Sequence, residues 1–158
     1  MKRLARVEEI PGARLTPLRT HVDDRGHLTV VLRNDQPDLR RFGQVYVVVS
    51  PVAGTIRAWH KHSRLWDWFF IGRGSAKFGL VDDRPDSAVR GAFATVTLCA
   101  SAPALLAVPP GVLHGWMSLE DETQLVSTAD HRYDEDGWDE ERLPYDHFPG
   151  FPWHVEHR

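Results

Sequence analysis

From residue 44 onward the sequence is a succession of short apolar runs, over 44–50, 54–60, 67–72, 75–81, 92–98, 105–108, 113–118 and 123–128. Each is rich in Val, Thr, Phe or Trp and is bounded by Gly, Pro, Asp or Ser. β-Branched and aromatic residues suit a pleated surface, and turn-forming residues at each boundary reverse the chain. No helical period intervenes, so the spacing predicts an antiparallel barrel or sandwich. Before this block, 27–32 reads as a further strand after a turn at Asp23-Asp24-Arg25-Gly26, and 34–41 as a loop. The flanks are less regular. Residues 1–20 form an arm that reads as an edge strand or a segment crossing to a partner subunit. Residues 129–158 form an irregular or helical extension whose acidic run, from Asp130 to Glu141, reads as solvated surface. At 158 residues the chain has the length of one domain with one core, and 1–158 is expected to form it.

Polar groups interrupt two of the apolar runs. The first is Gly54-Thr-Ile-Arg57-Ala-Trp-His60-Lys-His62-Ser-Arg-Leu-Trp-Asp67 and the second is Pro109-Pro-Gly-Val-Leu-His114-Gly115. In a strand, residues two apart share a face, so His60 and His62 point together and Lys61 points away. Arg57, three before His60, faces the other side of a regular strand. A bulge or bend near Ala58 or Trp59 is needed to bring both into one pocket. Imidazoles and carboxylates within apolar strands require partners or a function.

The spacing of these pieces resembles the two cupin motifs. In the first, Gly54, His60, His62, Asp67 and Gly74 follow in step, with Asp67 where the family has Glu. In the second, Pro109-Pro-Gly111 precedes His114, with Ser118 where Asn is usual. The resemblance implies an all-β cupin fold, the double-stranded β-helix or jelly-roll barrel. Within cupins the chain resembles the dTDP-4-dehydrorhamnose 3,5-epimerases. The matching pieces are Asp24-Arg25-Gly26, Ile56 to His60, Gly74 through Arg84 and Ser87, Pro110 to Trp116, and Asp146 with Trp153.

That resemblance implies an isomerase acting on a nucleotide-linked 4-keto-6-deoxyhexose by proton abstraction beside the ketone. His60 matches the base and Asp146 its orienting carboxylate. Arg25 and Arg57 match positions that hold the diphosphate or sugar, and His114 and His62 would line the sugar site. No cofactor is implied, and the epimerase branch implies a homodimer. Ser127 stands where the family's catalytic tyrosine aligns, and Asp67 where its pocket lysine does. The returning proton must then come from Tyr46, Tyr133 or water, or the reaction is altered or lost.

Asp67 also opens a second reading, in which His60, His62, Asp67 and His114 ligate a divalent transition metal in a metal-dependent cupin enzyme. A sugar 3,4-ketoisomerase and a non-catalytic sugar-nucleotide binder remain further alternatives. The net charge of −3 and scattered arginines give no basic face for nucleic acid. Cys99 is the sole cysteine, the N-terminus lacks an apolar leader, and no run approaches membrane-spanning length. A cytoplasmic setting, away from membranes, is the expectation.

Overall fold

The computed structural model describes residues 4–37, 39, 41–132 and 139–155. The strands are β1 (Leu4–Ala5), β2 (Arg14–Pro17), β3 (Thr20–Asp23), β4 (Gly26–Thr29), β5 (Gln44–Ser50), β6 (Ile56–His62) and β7 (Asp67–Arg73). They continue with β8 (Ser75–Asp82), β9 (Phe93–Cys99), β10 (Ala104–Val108), β11 (Val112–Ser118), β12 (Thr123–Ala129) and β13 (Glu140–Arg142). All eight runs expected after residue 44 are strands. A 3-10 turn at Val7–Glu9 follows β1.

Six strands form one sheet in the order β1-β9-β8-β11-β6-β13, five form a second in the order β2-β10-β7-β12-β5, and β3 and β4 form a separate hairpin. Every pairing is antiparallel except β1 with β9. The two larger sheets face each other across a core that takes Phe78, Leu80, Val112 and Trp116 from one and Phe69, Ile71, Leu106, Val108 and Leu125 from the other. This is the all-β jelly roll expected of the sequence.

Both sheets are also covered over part of their outer faces, which explains why several strands lack a clean alternation. β8 is buried along its whole length. Its inner residues meet the core, while Val81 joins Trp59, Leu113 and Phe151 in a second cluster outside the sheet. Gly79 lies in that outer layer, and a Cβ there would overlap the Phe151 ring. The absent side chain lets the C-terminal tail close onto the sheet. Trp59 is wholly buried among Phe148, Phe151 and Trp153, with two edge-to-face contacts at 5.3 and 4.7 Å between ring centroids. Such pairs add about 0.5–1.5 kcal/mol each beyond burial. On the other sheet, Trp68, Leu105 and Ala107 are covered by Leu18, Val31, Leu32, Leu39, Trp66 and Phe70.

One expectation is corrected and another sharpened. The strand predicted over 27–32 ends at Thr29, because Val31 and Leu32 leave the hairpin to cover the five-stranded sheet. The C-terminal extension contains no helix among its described residues. Residues 134–136 of its acidic run lie outside the described residues, and the end of the run supplies β13, an edge strand paired with β6 in the register Glu140↔His62 and Arg142↔His60. Among the described residues, no helix is long and apolar enough to cross a membrane.

Candidate active site

One end of the barrel is open, forming a cavity of about 580 Å³ between the sheets. Phe69, Trp116 and Leu125 belong to both its lining and the core, and so form its floor. The walls carry Tyr46, Arg57, His60, His62, Asp67, His114 and Glu140. Arg41, Arg64, Arg132 and Arg142 also line it and, with Arg57, are exposed at its mouth. A deep polar wall beneath a ring of guanidinium groups suits a polar ligand with an anionic group.

The β6–β11 pairing explains how Arg57 and His60 reach the same cavity. His114 pairs with His60, but Trp116 pairs with Arg57, so β6 carries one residue more than its partner over this stretch. The required bulge is therefore present, next to Trp59. Gly115 makes room for it, since a Cβ at that position would overlap Ala58. Lys61 points outward to Asp83 and Glu141, at 2.6 and 2.7 Å.

His60 Nδ1 donates to Glu140 Oε1 at 2.5 Å, and Glu140 Oε2 accepts from Arg142 Nε at 2.5 Å. The Glu140 side chain is only 7% exposed. Burial pushes its carboxyl up, but the His60 and Arg142 contacts outweigh that, and its pKa is lowered overall. With Nδ1 engaged, Nε2 is the ring nitrogen left for chemistry. The preceding residue organises the turn after β6. The Asp139 carboxylate accepts from the backbone N–H groups of Ser63, Arg64 and Leu65 and from the Ser63 hydroxyl, and its carbonyl accepts from His62 Nδ1 at 3.0 Å.

His62, Asp67 and His114 form a group apart from His60. Their ligand-type atoms all lie within 4.8 Å of one another. Burial pushes the Asp67 carboxyl well above its ordinary value, with the Asp130 and Glu140 charges adding to the effect. Burial, with His62 alongside, lowers His114 to about 3, and burial likewise lowers His62. Ser127, opposite Tyr46 on the neighbouring strand, is fully buried. Its hydroxyl lies beside the Tyr46 phenol and the Asp67 carboxylate, yet meets neither in hydrogen-bond geometry. Partial burial and the nearby Asp67 charge raise the Tyr46 pKa.

Of the residues singled out in the sequence, His60, His62, Arg57, His114 and Asp67 share the cavity. Asp146 does not. It is exposed in the turn after β13, on the outer side of β6, where Tyr145 O accepts from Trp59 Nε1 at 3.2 Å. The carboxylate on His60 is Glu140 instead. Arg25 is also outside the cavity, on the exposed tip of the β3–β4 hairpin and paired with Asp23 at 2.5 Å. Of the four-residue metal set, His62, Asp67 and His114 cluster and His60 is not among them. Tyr133 lies outside the described residues.

The chain matches the family profile described as dTDP-4-dehydrorhamnose 3,5-epimerase over residues 7–155. It is 34% identical over 151 residues to the spore coat polysaccharide biosynthesis protein SpsL of Bacillus subtilis (strain 168), covering 94% of this chain and 99% of that protein. A dTDP sugar isomerase from Desulfovibrio desulfuricans G20 superposes with a TM-score of 0.81 at 31% identity, over 91% of this chain and 92% of that one. The dTDP-4-dehydrorhamnose 3,5-epimerase of Bacillus anthracis str. Ames, solved with TDP and PPi bound, gives a TM-score of 0.81 at 27% identity, over 92% of this chain and 86% of that one. A matched profile over nearly the whole length, together with the shared barrel, places the chain in the dTDP-4-dehydrorhamnose 3,5-epimerase family.

Proposed function

We propose that the protein epimerises a nucleotide-linked 4-keto-6-deoxyhexose, with His60 as the base. The observation that carries this reading is the His60–Glu140 pair on the cavity wall. A proton beside the ketone is acidified because the carbanion left behind delocalises as an enolate. His60 Nε2 takes that proton, and the Glu140 carboxylate on Nδ1 fixes the tautomer and stabilises the imidazolium. Return of a proton to the opposite face inverts the centre.

Tyr46 is the donor we assign to that return. Its phenol lines the cavity from β5, and its raised pKa keeps it protonated at neutral pH. It thus supplies from the adjacent strand the group that is missing at Ser127, its pairing partner. Arg57, with Arg41 and Arg132 at the mouth, would receive the diphosphate, in keeping with the TDP held by the Bacillus anthracis relative. Side-chain acids and bases suffice for these transfers.

The protein acts, in this reading, as a homodimer built on the exposed edge of β5 and the β3–β4 hairpin. Arg25 would then take part only by reaching a partner's cavity. The free thiol of Cys99 suits a cytoplasmic setting. The decisive experiment follows solvent deuterium into dTDP-4-keto-6-deoxyglucose. Wild type should incorporate it at C3 or C5 and His60→Ala should not. Wild-type protein that neither exchanges nor binds dTDP would refute the assignment.

A further inference from the structure

We propose that His62, Asp67 and His114 form a binding site for one divalent transition-metal ion, with an open coordination position facing the cavity. Both imidazoles are oriented from behind. His62 Nδ1 donates to Asp139 O at 3.0 Å and His114 Nδ1 to Val112 O at 3.1 Å. A proton held on each Nδ1 leaves both Nε2 lone pairs directed forward, the arrangement in which a histidine ligates a metal.

Those lone pairs converge on a carboxylate. Nε2 of His62 lies 3.5 Å from Asp67 Oδ2, and Nε2 of His114 lies 3.6 Å from the same oxygen. An ionised Asp67 carboxylate facing two nitrogen lone pairs is repelled unless a cation lies between them. A shared proton would close an oxygen–nitrogen gap to about 2.8 Å, shorter than either distance. An ion with bonds of about 2.1 Å sets tetrahedral ligands about 3.4 Å apart, close to both.

Burial points the same way. Asp67 is 3% exposed, and its ion pairs among the described residues are to these two imidazoles alone. The Ser127 hydroxyl, wholly buried beside Asp67, has no hydrogen-bond partner among the described residues. A water on the open metal position would give it one. Two imidazoles and one carboxylate suit zinc, iron, cobalt or manganese. His60 is outside the group whose ligand atoms lie within 4.8 Å of one another, so the base and the ion occupy neighbouring positions with separate tasks.

This inference does not rest on the sugar-nucleotide reading, because ion binding is measured without substrate. Chelator-treated protein is titrated with Co²⁺, followed by visible absorption and calorimetry, and then competed with Zn²⁺. The expected result is one equivalent bound at micromolar affinity or tighter, with the d–d bands of a low-coordinate ion. Asp67→Asn should weaken binding by about 100-fold or more, whereas His60→Gln should leave stoichiometry and affinity unchanged. Should Asp67→Asn fail to fold, nitrogen-15 spectra of the wild type replace it, and Zn²⁺ should then move Nε2 of His62 and His114 but not of His60. No saturable binding up to millimolar Co²⁺, wild-type affinity in Asp67→Asn, or equal loss in His60→Gln would each overturn the three-ligand site.

Discussion

Glu140 gives the His60 ring its orientation and its counter-charge, so its two effects are separable by substitution. Glu140→Gln keeps the shape but removes the charge that stabilises the imidazolium. It should lower the deuterium-exchange rate by about 100-fold with little change in dTDP affinity, measured by exchange kinetics and calorimetry. Tyr46→Phe should act at the other half of the reaction. Deuterium still enters from the His60 side, but inversion slows by about 100-fold, so exchange without net epimerisation is the expected product pattern in proton spectra. The histidines, Arg57 and Asp67 were legible because their spacing on strands is local. Glu140 was not: it sits among many carboxylates, and a pairing between residues some eighty apart selects it. The resemblance pointed to Asp146, which the Trp59 anchor holds on the outer side of β6.

At the level of elements, the eight strands after residue 44 were legible from β-branched runs and their punctuation. β13 was not, since Glu140-Glu141-Arg142 has no β propensity and becomes a strand only by docking on the β6 edge. The loop after β8 shows how side chains hold such junctions. Asp82 is fully buried and accepts from Arg84 Nη2 at 2.6 Å and Ser87 Oγ at 2.8 Å, while Arg84 Nη1 donates to Pro11 O at 2.8 Å. Burial pushes the Asp82 carboxyl up, but Arg84 and Ser87 more than offset it, and its pKa is lowered. A carboxyl whose folded pKa lies below the unfolded value of about 3.9 contributes stability above that pH and loses it as pH falls through the folded value. Asp82→Asn should therefore cost about 1–3 kcal/mol near neutrality. In thermal melts the gap from wild type should narrow below about pH 4.

Across the whole molecule, the surface of β5 is the least accounted for by one chain. Val45, Val47 and Val49 are 54%, 59% and 42% exposed, and among the described residues β5 is paired only through β12, at the end of its sheet. Val22 at 78% and Leu28 at 60% extend the apolar surface on the hairpin. Open apolar edges of this kind are normally covered. If the proposed homodimer uses this surface, Val47→Glu should leave a folded monomer, read by light scattering and circular dichroism. The same seven-residue strand turns Gln44, Tyr46 and Val48 into the cavity. In the proposed homodimer, cavity wall and contact surface would be two sides of one ribbon, which would link occupancy to assembly. Specific activity should fall on dilution through the dissociation constant, and by reciprocity dTDP should tighten self-association, as sedimentation with and without the nucleotide would record.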